Sequence, residues 1–182
     1  MREIVQDGAP VLREVAKSVP ESAFGSAELE GLVKDMSEAL EAEPDGVALA
    51  APQVAVSWRL FIVRMDRTEP PPLRDGAAEG EAVPARAAEV EVYVNPEITK
   101  TSRRRAKADE GCLSVRGIYG STARHERVTI SARRPDGTRF TRGGGGLLAQ
   151  IFEHEVDHLN GILFTDAAED LVKVQPRHEQ AA

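Results

Sequence analysis

Leu147 to Asn160 reads LLAQIFEHEVDHLN, with four glycines, Gly143 to Gly146, before it and Gly161 after it. Set on a helix at about 100° per residue, Leu147, Ile151, His154 and His158 fall in one narrow stripe, with Glu155 at its edge. Leu148, Phe152 and Leu159 continue round the adjoining apolar face, and Glu153, Asp157 and Asn160 lie opposite. The spacing predicts a largely buried helix closed by a left-handed glycine. His154-Glu155-Val156-Asp157-His158 is an H-E-x-x-H pattern, which puts two imidazoles one turn apart beside a carboxylate, as a shared metal requires. Two histidines satisfied by hydrogen bonds in a core would give the same letters, so the pattern alone leaves both readings open.

Upstream, Val128 to Ala132 and Thr138 to Thr141 flank the turn sequence Arg134-Pro135-Asp136-Gly137, which predicts an antiparallel pair. Leu60 to Met65 (LFIVRM) and Val90 to Val94 (VEVYV) read as strands, and residues 66–89, rich in Pro, Glu, Ala and Gly, read as a long loop. Leu29, Leu32, Val33, Met36 and Leu40 follow helical spacing from an N-cap at Ser26 to a stop before Pro44. Residues 1–25 suggest a wrapping arm with one short helix. There is no internal repeat and no βαβ alternation. The expected class is α+β, with antiparallel sheets wrapped around the C-terminal helix and residues 1–182 forming one domain.

The 182 residues suffice for one core, and 41% hydrophobic with 29% charged residues describe an ordinary globular chain. Aromatics are only 4%, so aliphatic side chains must fill most of the interior. With 23 basic and 30 acidic residues the net charge is −7, which argues against the broad positive field of a nonspecific nucleic-acid binder. Arg103-Arg104-Arg105 reads as a solvated turn or strand end. A single cysteine, Cys112, excludes an intramolecular disulfide. The amino terminus holds no apolar signal core, and no stretch approaches the ~20 apolar residues of a membrane span, so a cytoplasmic protein is expected.

A catalytic divalent ion needs a third protein ligand and an open position for water. Neither His125 nor His178 sits in a recognisable partner motif. Cys112, in Asp109-Glu110-Gly111-Cys112-Leu113-Ser114, would offer a soft thiolate suited to zinc or ferrous iron. The plainer reading is a buried structural thiol. A third segment, Gly46-Val47-Ala48-Leu49-Ala50-Ala51-Pro52-Gln53, runs through small apolar residues to an amide that can donate to an oxyanion. Read alone, it is better explained by tight packing.

Together the three segments resemble, in order and spacing, the motifs of the peptide deformylase family: G-x-G-x-A-A-x-Q, E-G-C-x-S and H-E-x-x-H. The likeness extends to PVLR at Pro10 to Arg13, to Asn95-Pro96 and to GILFTD at Gly161 to Asp166, and so covers most of the chain. The resemblance implies a hydrolase that removes the formyl group from N-formylmethionine of newly made bacterial polypeptides and releases formate. It implies one divalent ion on Cys112, His154 and His158, Fe2+ being the expected native metal and Zn2+ or Ni2+ the substitutes. An ion on two neutral imidazoles and a thiolate carries a net charge near +1 and acidifies a bound water. Glu155 would take its proton and pass it to the leaving amine.

The same resemblance supplies the Gln53 amide and the Leu113 N–H as oxyanion donors. It assigns substrate contacts to Gly46, Val47, Ala48, Gly111, Leu147 and Ile151, with Val47, Leu147 and Ile151 as the apolar pocket for the methionine side chain. It also pairs Arg124 with Asp157. The expected partners are formylmethionyl peptides and a transient ribosome contact, with no nucleic-acid specificity, no membrane and a monomeric state. The tail mixes Lys173 and Arg177 with Glu169, Asp170 and Glu179, so no basic docking helix is evident.

Three positions depart from the family pattern. Ala48 stands at the second motif glycine, Glu153 replaces a glutamine before the first histidine, and Arg116 replaces a proline after the cysteine loop. None removes a ligand, base or oxyanion donor. An H-E-x-x-H peptidase acting on internal bonds would need a further His or Glu within residues 159–182, where no strong match stands. A non-catalytic relative would have to keep the whole chemical set without using it.

Overall fold

The structure, a computed structural model, describes residues 2–68 and 89–174. The loop expected over 66–89 therefore lies almost wholly outside the described residues, as do His178, Arg177 and Glu179 of the tail. Ser26 Oγ accepts the Leu29 N–H at 3.3 Å and starts helix α1, Ala27–Glu41, which buries Leu29, Leu32, Met36 and Leu40 as their spacing predicts. The amino-terminal arm forms two short 3-10 turns, Pro10–Arg13 and Glu21–Ala23, where one short helix was expected. It wraps nonetheless, through Val5 N–H to Gln53 O at 2.9 Å, Asp7 N–H to Ser114 O at 2.7 Å and Ala16 N–H to Leu159 O at 2.9 Å.

Among the described residues, eight strands form two antiparallel sheets. Strands β1 (Ala48–Ala50), β2 (Leu60–Arg64), β3 (Val90–Thr101), β6 (Arg127–Arg133) and β7 (Arg139–Gly145) lie in the order β1-β2-β3-β6-β7. Strands β4 (Arg105–Cys112), β5 (Val115–His125) and β8 (Glu169–Lys173) make a second sheet in the order β4-β5-β8. Helix α2, Leu147–Leu159, runs between them. The α+β class with antiparallel sheets about the last helix is the observed architecture.

Strand β2 explains why the larger sheet is so apolar. Every residue of LFIVR is buried because both faces are covered. Leu60 and Ile62 pack with α1, while Phe61 and Val63 pack with Ala149, Ile151, Phe152 and Leu159 of α2. Phe61 stacks on Tyr93 at 4.7 Å between ring centroids, and Phe152 meets Tyr93 edge-on at 5.3 Å. Four of the eight aromatic residues, Phe61, Tyr93, Phe140 and Phe152, thus make ring contacts with one another under the metal-motif helix. No described helix is long and apolar enough to cross a membrane.

Several expected boundaries move. The strand read as Leu60 to Met65 stops at Arg64, where Met65–Arg67 turns as a short 3-10 helix. The strand expected over Val90 to Val94 continues to Thr101. Gly143 to Gly145, read as a lead-in to the helix, belong to β7, and Gly146 at φ 55° makes the sharp entry to α2. Gly161, at φ 74°, closes the helix, and a Cβ there would stand 2.7 Å from the Arg13 backbone, so the arm packs where only glycine fits.

Candidate active site

The site assembles where α2, the β4–β5 hairpin and the β1 segment meet. A cavity of about 1080 Å³ opens there, lined by Gly46, Val47, Ala48, Gln53, Gly111, Cys112, Leu113, Leu147, Ile151, His154 and Glu155. Every expected substrate and chemical residue except His158 is in that lining. His158 lies beneath it, 1% exposed. The short β1 strand carries the small residues of the first segment, because Ala48 and Ala50 must fit between β2 and α2. Gly111 lets the Tyr119 ring of the opposite strand lie close, since a Cβ there would stand 2.7 Å from it and the ring would have to shift.

The Sγ of Cys112 and one ring nitrogen each of His154 and His158 lie within 4.8 Å of one another. Cys112 Sγ is 3.2 Å from His158 Nε2, receives the Ser114 N–H at 3.4 Å, and faces Gln53 Nε2 at 3.6 Å. The plain structural-thiol reading of Cys112 does not account for this convergence. Burial, reinforced by the positive charge on His154, holds His158 well below the usual imidazole value, so it stays neutral as a ligand must. Burial also lowers His154, but hydrogen bonds to Cys112 and Glu110 and the Glu155 charge outweigh it and raise the ring to about 10. The pocket thus attracts positive charge to this point, a pull that a divalent ion satisfies.

Glu155 is 3% exposed, and its Oε2 has no hydrogen-bond partner among the described residues. Burial raises its carboxyl, His154 opposes and Glu110 adds, leaving it at about 7. A buried, unpartnered carboxylate oxygen beside a thiol and two imidazoles fits a metal centre with a proton carrier next to it.

Gln53 is oriented by its surroundings. Its Oε1 accepts the Ala50 N–H at 2.8 Å, so Nε2 must face Ser114 Oγ at 3.2 Å and the sulfur. Leu113 contributes main chain: its carbonyl accepts from Gln6 Nε2 at 3.0 Å, which ties the arm to the cysteine loop.

The residue that sequence reasoning passed over is Glu110. It is 4% exposed and accepts from Thr122 Oγ1 at 2.7 Å, from Arg124 at 2.6 and 3.0 Å, and from His154 Nδ1 at 3.1 Å. This fixes the His154 tautomer and leaves Nε2 for an ion. Burial pushes Glu110 up, yet these bonds win and bring it down to about 2. The signal was its place in the cysteine motif, but its partners are distant in sequence. Arg124 Nη1 also donates to Asp157 at 2.7 Å, the pairing that the resemblance implied. Glu153, the departure before the first histidine, takes His125 Nδ1 and the His125 N–H, each at 2.7 Å, and so gives His125 its role.

No residue after α2 joins the Cys112, His154 and His158 group among the described residues, and Asp166 is engaged by Arg13 at 2.6 Å. The third candidate ligand, Cys112, comes from upstream, which disfavours an internal-bond peptidase. The fold and site together define a metal-centred hydrolase with the reactive helix between two antiparallel sheets. A profile for polypeptide deformylases matches residues 1–174. A peptide deformylase of Symbiobacterium thermophilum is 39% identical over 178 residues, covering 98% of this chain and 71% of that protein. Peptide deformylase 2 of Pseudomonas putida is 36% identical, covering 95% and 90%.

Among solved structures, a Met-Ala-Ser-bound class I type b peptide deformylase of Acinetobacter baumannii superposes with a TM-score of 0.76 at 34% identity, over 91% of this chain and 98% of that one. A peptide deformylase of Legionella pneumophila gives 0.77 at 35% identity, over 93% and 87%. The chain belongs to the peptide deformylase family, metal-dependent hydrolases that remove the N-formyl group from nascent polypeptides.

Proposed function

We propose that Cys112, His154 and His158 hold one divalent ion, Fe2+ in the cell with Zn2+ or Ni2+ as working substitutes, and that Glu155 is the proton carrier of deformylation. The observation that carries this reading is the unpartnered Oε2 of buried Glu155 beside the three converging donor atoms. When bound, the ion supplies Lewis acidity, which eases deprotonation of a water and steadies negative charge on the formyl oxygen. Glu155 takes the proton as water oxygen adds to the formyl carbon, then gives it to the amine nitrogen as the C–N bond breaks and formate departs. Gln53 Nε2 and the Leu113 N–H donate to the developing oxyanion, and the Ala50 N–H keeps the Gln53 amide turned the right way.

Ile151, 4% exposed, floors the pocket for the methionine side chain, with Val47 beside it and Leu147, 43% exposed, at its mouth. Gly46, Ala48 and Gly111 keep the adjoining walls low. On this reading the enzyme is a cytoplasmic bacterial monomer that meets formylmethionyl chains in transient contact with the ribosome. The Acinetobacter relative that binds Met-Ala-Ser supports a tripeptide as the probe. Metal-loaded protein should release formate from formyl-Met-Ala-Ser and leave acetyl-Met-Ala-Ser intact; absence of formate release would overturn the proposal. In Cys112→Ser, metal analysis should show weakened binding.

A further inference from the structure

The chain is acidic overall, yet residues 97–142 hold twelve Lys and Arg against five Asp and Glu, so that this stretch is +7 and the remainder −14. Folding gathers part of that excess at one end of the molecule. The β3–β4 turn and the β5–β6 turn are bonded to each other: Ser102 N–H donates to Arg127 O at 2.9 Å, Arg127 N–H to Ser102 Oγ at 3.1 Å, and Glu126 N–H to Arg104 O at 3.1 Å. Lys100, Arg103, Arg104, Arg105 and Arg127 are all exposed there. The carboxylate of these turns, Glu126, is engaged by Arg104 at 3.2 Å. Arg105 Nε donates to His125 Nε2 at 3.2 Å, and Lys100, Arg103 and Arg127 have no ion pair among the described residues.

We propose that this end is a docking surface for the phosphate backbone of RNA. Four of the five cations are arginines, whose planar donors suit phosphate oxygens. Beside them, β6 turns Thr129 and Ser131 outward between buried Val128, Ile130 and Ala132, opposite Gly143 and Thr141 of β7. That face carries short hydroxyl side chains, with Lys100 opposite Thr129 and the exposed carboxylate of Glu97 opposite Ser131. The exposed large apolar residues of the protein, among them Val15, Tyr119, Leu171 and Val172, lie outside these turns, so a membrane would find no anchor here.

The rest of the chain sums to −14, so this basic end is the exception in an acidic protein. Gly146 N–H donates to Glu126 O at 3.2 Å, so the basic end adjoins the start of α2, the helix whose Leu147, Ile151 and His154 line the cavity. A substrate still being synthesised is carried by RNA-rich machinery, and a weak contact at this end would hold the cavity near it.

The test is fluorescence anisotropy with a short RNA duplex, on metal-loaded full-length protein. Wild type should bind with a Kd of about 10–100 µM and lose roughly a hundredfold in affinity between about 50 and 200 mM salt, as about four released counterions dictate. Arg103→Gln/Arg104→Gln/Arg127→Gln should bind at least about tenfold more weakly with a shallower salt dependence. Its formate release from free formyl-Met-Ala-Ser and its metal content should match wild type, which shows that the fold and the deformylase site are intact. Arg105 is retained because it touches His125, which holds Glu153 beside His154. Equal RNA binding by wild type and variant, or no saturable binding by wild type, would overturn the proposal. So would binding to phosphatidylglycerol vesicles in preference to RNA.

Discussion

Replacing Glu110 by glutamine should weaken metal binding and stability together. Thr122, Arg124 and His154 all point donors at this carboxylate. A glutamine of the same size has one acceptor oxygen and turns an NH2 group toward at least one of those donors, leaving Arg124 paired with Asp157 alone. Removing one partner of a buried ion pair costs about 3–5 kcal/mol. Its protonation gives a second figure. The gap between the ordinary 4.5 and the folded value of about 2 corresponds to roughly 3 kcal/mol.

The folded value is the lower one, so this stabilisation is complete above about pH 4.5 and is lost as pH falls toward 2. Glu110→Gln should therefore flatten the acid limb of the stability profile as well as lower its plateau. With the His154 ring no longer fixed, metal affinity should drop on the order of 10–100-fold. Urea titrations from neutral pH downward and chelator competition read the two effects. Wild-type metal affinity with an unchanged acid limb would refute the reasoning.

Glu155→Gln should keep fold and metal but lose about 10²–10⁴ in turnover, because the amide carries no proton; wild-type rates from the metal-loaded variant would contradict the assigned role. As burial raises Glu155, the acid limb of wild-type kcat/KM should lie above pH 4.5, the ordinary carboxylate value. Gln53→Leu should cost on the order of 10²–10³ in kcat while metal content stays constant. Ala48 lies in extended β1 backbone without a positive φ, so its methyl imposes no strain. Ala48→Gly should change kcat/KM by no more than a few-fold and cost about 0.5–1 kcal/mol of stability in denaturant titration; a rise of about tenfold or more would show that the methyl crowds the formyl group.

Helix α2 was legible because one period sorted its residues into a ligand stripe, an apolar face and a polar face, and all three found matching surroundings. Strand β2 was legible as an unbroken apolar run for the opposite reason, since both its faces are covered. The β4–β5 hairpin was not. Its first strand, RAKADEGC, buries Glu110 fully and leaves most other side chains in solvent, so no apolar alternation marked it. What makes it a strand is pairing with β5, from Arg105 opposite His125 to Gly111 opposite Tyr119. The glycines of β7 were opaque for the same reason. In the site, the resemblance named the three candidate ligands that the fold brings together, but the bonds of Glu110 depended on Thr122, Arg124 and His154, which no local pattern connects.

Helix α2 is gripped in two chemically different ways. Toward the larger sheet it rests on Phe61 and Tyr93 through Phe152. Toward the smaller sheet it is held by polar links: Arg124 to Asp157, Glu110 to His154, His125 to Glu153, and Gln150 Nε2 to Asp109 O at 2.8 Å. Cooling weakens the first attachment, because apolar burial loses driving force in the cold. Warming favours the ionic links of the second, because the cost of stripping water from charges falls with temperature. The two attachments of α2 therefore respond to temperature in opposite directions, one loosening in the cold as the other loosens least in the heat.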